Sequence, residues 1–378
     1  MLYTSTDLLN WRNLGAQSSI TGLWRPKIAT PNNKFWIFGQ QDRYVQSLVS
    51  TQLVGGYTSS AKVHLPPNDY TYSDTGMYYD EDSSTWYLLT SADHNTVQVN
   101  KINTDGTVGE RVLAFSQGAY EAPGIFKDSG TYYLIVSGKT GYRSNPNKVF
   151  YASSLSGPWS GGTDIAPPGE NTYNSQNTFE LTIRGSQKTT HIYMGDAWDS
   201  KGGASSNYVW LPIQVDSSTK RPTLQYHAMW KIDVATGVVS FPSTKKRYEA
   251  RDASIQAISG TTENSDNIAK RSVQKINPNR EAVFYNVTGT GAPQWLSFHY
   301  TVNDPQAGEA HIFVNNEPIP TNISAMNSRA GFAEHIPVQL LLEPGDVNTI
   351  RIGANGSPSE FASSSPLISA GTNMPTCP

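Results

Sequence analysis

Two carboxylates in this 378-residue chain, Asp74 and Glu121, stand in matched surroundings. In Tyr120-Glu121-Ala122-Pro123-Gly124-Ile125-Phe126 the acid precedes a Pro-Gly break and a strand-like run. Its apolar neighbours raise the carboxyl pKa and keep the proton in place, as a general acid requires. Tyr72-Ser73-Asp74-Thr75-Gly76-Met77-Tyr78 repeats the arrangement 47 positions earlier. Two acids facing one axis are the basic equipment for glycoside cleavage, one protonating the leaving oxygen and the other tuning it or activating water. The competing structural reading is that each acid caps a turn or pairs with an arginine. Other chemistries lack their residues. The seven histidines show no His-x-His or His-Glu-x-x-His spacing, and the single cysteine, Cys377, has no partner for a disulfide. Neither a Gly-x-Ser-x-Gly elbow nor a phosphate-cradling glycine loop is present. No cofactor is expected for catalysis.

The elements that must position these acids repeat. Turn residues followed by paired aromatics and an aliphatic run recur as Asn32-Asn33-Lys34-Phe35-Trp36-Ile37-Phe38, Asp82-Ser83-Ser84-Thr85-Trp86-Tyr87-Leu88-Leu89 and Asp128-Ser129-Gly130-Thr131-Tyr132-Tyr133-Leu134-Ile135, with a looser copy at His191-Ile192-Tyr193-Met194. Asp82 and Asp128 are 46 positions apart, as are Trp11 and Tyr57. A period near fifty built from short aromatic strands and Gly/Asn/Asp turns indicates propeller blades, each burying its faces against its neighbours. The expected fold is all-β, a five-bladed β-propeller over residues 1–243. Blades fall near 25–65, 72–115, 120–165 and 175–240, and residues 1–18 are expected to be the end of an incomplete first blade. After the Pro/Ser/Lys stretch at Phe241–Lys246 the texture changes. Alternating segments such as Gln294-Trp295-Leu296-Ser297-Phe298-His299-Tyr300 predict a second domain over 247–375, a β-sandwich of jelly-roll type.

With 28 Lys plus Arg against 31 Asp plus Glu, the net charge of -3 gives no electrostatic footprint for nucleic acid or an anionic membrane. No apolar run is long enough to span a bilayer, and the first residues lack the pattern of a signal peptide. A surface with few charges, rich in Ser, Thr, Asn and Gly, is common in secreted sugar-active proteins.

In order along the chain, Leu23-Trp24-Arg25-Pro26-Lys27, Tyr120-Glu121-Ala122-Pro123, Ser137-Gly138-Lys139-Thr140-Gly141-Tyr142, Asn174-Ser175-Gln176-Asn177-Thr178, Met194-Gly195-Asp196-Ala197-Trp198 and Tyr208-Val209-Trp210-Leu211-Pro212-Ile213 resemble glycoside hydrolase family 43. The resemblance is to its exo-β-1,3-galactanase branch and covers nearly the whole first domain. It implies an inverting enzyme that releases galactose from β-1,3-galactan, the backbone of arabinogalactan. Glu121 then matches the general acid and Asp74 the acid that modulates its pKa. Gln176 matches a glutamine lying where a base would act, in a branch without the wider family's aspartate base. A neutral amide is a poor base, so Gln176 would act through an unusual tautomer or by positioning the water. Tyr142, Thr140, Asn95, Asp196 and Trp198 are the implied sugar contacts, aromatic faces stacking on the ring and polar groups bonding its hydroxyls. The implied partner is β-1,3-galactan or arabinogalactan, bound by a secreted monomer.

Two departures from the branch favour an alternative, a galactan-binding protein without full activity. Trp24 stands where the branch commonly carries a substrate-binding Glu, and the first blade's inner strand is missing. A third reading, arabinofuranoside or xyloside cleavage, is disfavoured because those branches use an aspartate base where Gln176 stands. In the second domain Tyr248-Glu249-Ala250-Arg251-Asp252-Ala253, Val314-Asn315-Asn316 and Gly345-Asp346-Val347-Asn348-Thr349-Ile350 resemble carbohydrate-binding module family 35. That resemblance implies a structural calcium with Glu249 and Asp252 among its ligands, although Arg251 replaces a usual third acid.

Overall fold

The computed structural model describes residues 1–63, 65, 72–92, 95–141, 145–198, 207–227, 229–241, 246, 248, 253–257, 273–276, 280–302, 308–325, 334–355 and 361–364. It is all-β. Among the described residues the only helical turns are two short 3-10 segments, and no helix is long and apolar enough to cross a membrane. The chain divides into two compact units: Met1–Trp198 with Tyr208–Tyr226 and Lys231–Val239, and Asp199–Asn207 with His227–Trp230 and Ser240–Pro378.

The first unit opens with a short pair, β1 (Tyr3–Thr4) and β2 (Arg12–Asn13). Four antiparallel four-stranded sheets follow, each formed by consecutive strands in up-and-down order. These are β3 (Trp24–Ala29), β4 (Phe35–Gln41), β5 (Tyr44–Ser50) and β6 (Thr58–Val63), then β7 (Tyr72–Asp80), β8 (Thr85–Ala92), β9 (Val97–Ile102) and β10 (Val108–Phe115). The third sheet holds β11 (Tyr120–Asp128), β12 (Thr131–Gly138), β13 (Lys148–Ala152) and β14 (Ser160–Asp164), and the fourth β15 (Gln176–Arg184), β16 (Thr189–Ala197), β17 (Asn207–Val215) and β18 (Pro222–Leu224). A two-stranded sheet, β19 (Lys231–Asp233) with β20 (Val238–Ser240), ends the unit.

The recurring aromatic runs fall on the second strand of each sheet, β4, β8, β12 and β16, where the pleat sends alternate side chains to opposite faces. Both faces are apolar because each sheet packs against a neighbour. Trp36, Phe38 and Val45 of the first sheet share a core with Tyr72, Met77, Leu88 and Ile102 of the second. Tyr78, Leu89 and Val99 of the second share another with Ile125, Leu134 and Phe150 of the third. The first strands lie innermost, β3 beside β7, β7 beside β11 and β11 beside β15. Each carries a register shift near one end, between Trp24 and Lys27, Tyr72 and Thr75, Glu121 and Gly124, and Asn177 and Phe179.

The second unit has a five-stranded and a four-stranded antiparallel sheet. Its strands are β21 (Ser254–Ala257), β22 (Val273–Ile276), β23 (Arg280–Gly289), β24 (Pro293–Val302), β25 (Gly308–Val314), β26 (Thr321–Ala325), β27 (Glu334–Leu341), β28 (Gly345–Asn355) and β29 (Phe361–Ser364). The sheet orders are β21-β23-β28-β25-β26 and β22-β29-β24-β27. Phe284, Ile312 and Ile350 from the first and Leu296, Phe298, Val338 and Leu340 from the second meet in one core. Asn348 is buried within it and fully bonded. Its Nδ2 donates to Val287 O at 3.0 Å and Glu343 O at 2.8 Å, and its Oδ1 accepts from Glu343 N at 2.8 Å and Asn315 Nδ2 at 3.1 Å. Glu249 and Asp252, the expected calcium ligands, lie outside the described residues.

Candidate active site

The four inner strands each deliver one polar side chain at or beside their register break: Arg25 and Asp74 within it, Glu121 and Gln176 next to it. A bulge inserts backbone that the ladder does not use and re-aims a side chain, which is why it serves a site. At two of the four the backbone enters the left-handed region in a residue other than glycine, Arg25 at φ 46° and Ala122 at φ 53°. Such conformations are held against a local energetic cost of about 1–3 kcal/mol and concentrate at functional sites.

Arg25 organises the cluster. Its Nε pairs with Asp74 Oδ1 at 2.8 Å, its Nη1 donates to Asn177 O at 2.9 Å and to Thr178 Oγ1, and its Nη2 donates to Gln176 Oε1. Nη1 also faces Asp196 Oδ2 at 3.6 Å. The second oxygen of Asp74 accepts the Ala122 amide at 2.9 Å, so the carboxylate ties β7 to both β3 and β11.

Glu121 is half-buried beside this pair. Its Oε1 accepts from Gln176 Nε2 at 2.9 Å. Burial raises its pKa, and the Asp74 charge raises it further; the Gln176 bond and the Lys139 and Arg25 cations oppose the shift. The other proton of Gln176 Nε2 goes to Ser137 Oγ at 2.9 Å, and Gln176 Oε1 also accepts from Trp198 Nε1 at 3.2 Å. Asp196 is the direct cross-strand partner of Gln176, and its Oδ2 accepts from Thr178 Oγ1 at 2.6 Å.

Of the residues expected from the sequence, Glu121, Asp74, Gln176, Asp196 and Trp198 thus form one bonded cluster. Thr140 lies just past β12, its hydroxyl accepting from Asn145 Nδ2 at 2.9 Å. Asn95 is exposed in the turn between β8 and β9, where its amide donates to Ala92 O at 3.0 Å. No hydrogen bond joins Asn95 to the cluster among the described residues, and Tyr142 lies outside them. Arg25, Ser137 and Thr178 were not anticipated. The sequence did hold a signal for Arg25, which precedes Asp74 by 49 positions, close to the repeat length. Trp24, its neighbour, is 65% exposed.

One step along the inner strands lies a second tier: Lys27 on β3, Gly76 on β7, Gly124 on β11 and Glu180 on β15. Lys27 and Glu180 are both buried. Lys27 Nζ donates to Arg25 O at 3.2 Å, and its pKa is lowered to about 8 by burial and then by Arg25. Burial pushes Glu180 up to about 8. Gly124 leaves room for the Glu180 carboxyl, and Gly76 for the close approach of the β11 backbone. A Cβ on Gly124 would sit 2.0 Å from Glu180 Oε2, and one on Gly76 would sit 2.1 Å from Pro123 O.

Residues 1–194, just over half of the chain, match the family described as Glycosyl hydrolases family 43. No curated protein sequence matches the chain. Among solved structures, the exo-β-1,3-galactanase of Phanerochaete chrysosporium with galactose is 28% identical, with a TM-score of 0.77 over 97% of this chain and 88% of that one. A variant of that enzyme with β-1,3-galactotriose gives a TM-score of 0.75 at the same identity and coverage. The exo-β-1,3-galactanase of Clostridium thermocellum shares the fold at 20% identity, with a TM-score of 0.57 over 97% of this chain and 89% of that one.

Proposed function

Because the chain belongs to glycosyl hydrolase family 43, we propose that it releases galactose from β-1,3-galactan with inversion, Glu121 acting as the general acid. One observation carries the assignment. Glu121 is a half-buried carboxyl with a raised pKa, held by one oxygen to an amide and beside a second, ion-paired carboxylate. Such a group holds its proton to higher pH than a free carboxyl and has its other oxygen available to a leaving group. Asp74 is fixed by Arg25 and the Ala122 amide, so its charge stays where it raises the Glu121 pKa. Gln176 braces the acid and forms the wall beside which the attacking water is placed. Asp196, Trp198, Thr140, Asn95 and Tyr142 bind the sugar. The solved relatives that contain galactose and β-1,3-galactotriose support this choice of substrate.

The four sheets of the first unit are read as propeller blades around these inner strands. The second unit, with two sheets sharing one core, is read as a β-sandwich carbohydrate-binding module resembling family 35, with a calcium held in part by Glu249 and Asp252. The protein is placed outside the cell, where arabinogalactan is found.

The test is galactose release from β-1,3-galactan by the chain and by its Glu121→Gln variant. Turnover is expected to fall about 10²–10⁴-fold with galactan affinity retained. Equal activity in the variant would remove Glu121 from the mechanism. Exposed Trp24 favours a second reading, galactan binding without turnover. Binding by the unmodified chain with no galactose released would establish that one instead.

A further inference from the structure

This inference rests on the glycosidase reading and concerns its second proton. Hydrolysis with inversion needs a donor for the departing oxygen and an acceptor for a proton of the attacking water. A neutral side-chain amide offers two N–H donors and an oxygen with two lone pairs. Gln176 has committed all four. Its donors go to Glu121 and Ser137, and its oxygen receives the Arg25 guanidinium and the Trp198 indole. Nothing on this amide is left to take a proton, and a guanidinium aimed at its oxygen opposes the gain of positive charge there.

Asp74 is no better placed. One oxygen is ion-paired to Arg25, the other accepts the Ala122 amide, and the side chain is only 13% exposed. Asp196 differs on each count. Its Oδ2 takes the Thr178 hydroxyl and faces Arg25, while its Oδ1 receives no hydrogen bond from the described residues. Its side chain is 28% exposed, about twice the figure for Asp74. The register places it opposite Gln176 on β16, one strand further from Glu121 than Gln176 itself. Between the two carboxyl groups stand the Gln176 amide and the Arg25 guanidinium, linked in series by the bonds described above. No hydrogen bond joins the two carboxyl groups directly among the described residues, which suits inversion, where acid and base act from opposite faces of the sugar.

We infer that Asp196, rather than Gln176, is the proton acceptor for the attacking water, and that Gln176 is a positioning residue for Glu121. As the water oxygen bonds to the anomeric carbon, its proton passes to Asp196 Oδ1. The bond from that carbon to the glycosidic oxygen breaks with its electron pair on the oxygen, which takes the proton from Glu121 Oε2. One acid gains a proton and the other loses one, and nothing is oxidised or reduced. Because Oε1 of Glu121 accepts from an amide, its transferable proton belongs on Oε2.

The test uses the full chain with β-1,3-galactotriose, comparing Asp196→Ala and Gln176→Ala with and without sodium azide. Azide attacks the anomeric carbon without losing a proton, so it replaces both the water and the need for a base. Asp196→Ala is expected to lose about 10²–10⁴-fold in kcat, with a smaller rise in KM from its lost sugar contact. Azide should restore turnover and give α-galactosyl azide. Gln176→Ala should not be rescued, because its acid is misplaced. Rescue of Gln176→Ala alone would overturn the inference, as would an Asp196→Ala variant with raised KM and unchanged kcat, which marks a binding residue only. Asp196→Asn, of the same shape, with galactotriose affinity measured by calorimetry, separates lost chemistry from lost folding. An inactive unmodified chain would overturn the glycosidase reading and this inference together. An active chain without azide rescue of Asp196→Ala would overturn this inference alone.

Discussion

Glu121 and Glu180 are both carboxyl groups with raised pKa values, yet their raised values act on different observables. For Glu121 the consequence is a pH profile. The acid works only while protonated, so kcat/KM falls as pH rises through its raised pKa. Asp74→Asn removes the negative neighbour but leaves the burial, the larger cause, in place. The alkaline limb of kcat/KM should therefore move to lower pH without reaching that of a free carboxyl; a limb that stays put would show that the Asp74 charge does not reach the acid. For Glu180 the consequence is stability. Between pH 4.5 and 8 the unfolded chain has released this proton while the folded protein still holds it, so the folded state binds more protons and stability falls as pH rises. The loss should be on the order of a few kcal/mol and should vanish in Glu180→Gln, measured as urea midpoints across that window. Lys27, lowered to about 8, acts above the window and in the opposite direction.

At the scale of the element, the four bulged strands explain both what the sequence revealed and what it hid. Alternation and paired aromatics made the strands legible, because a sheet buried on both faces needs those residue types on its second strand. The repeat length made Asp74 and Glu121 legible as equivalents. Arg25 escaped because an arginine between Trp24 and Pro26 reads as surface, and its left-handed backbone leaves no mark in residue type. Lys27 and Glu180 escaped because a charged residue in a strand ordinarily faces water, and the space taken by the Glu180 carboxyl is made on another strand by Gly124. Pairing in the second unit was hidden for a different reason: β23 bonds to β28 some sixty residues away, and local pattern does not choose such partners. The Gly124 contact gives an element-scale prediction. Gly124→Ala should destabilise by about 1–3 kcal/mol through overpacking. Adding Glu180→Ala should recover part of that loss, giving a coupling of about 0.5–3 kcal/mol in a double-mutant cycle. Strict additivity would mean that the two residues do not meet.

At the scale of the whole molecule, the two units hold separate cores, so damage to one should stay there. Ile350→Ala truncates a fully buried side chain of the second unit and should cost about 2–5 kcal/mol. Calorimetry should show one transition lowered and another unchanged, with kcat for galactotriose preserved; a single transition that moves as a whole would show that the units unfold together. The bulges also bear on how such a molecule changes over generations. Each of these side chains leaves its strand at or beside the point where the ladder is interrupted, while most ladder pairs lie farther along. Exchanging one of these side chains leaves the ladders and cores in place and costs the bonds it makes within the cluster, which are largest for Arg25 and Asp74. A lineage with this architecture is free to acquire new chemistry, or to lose it, by single substitutions at four addresses while inheriting the same fold.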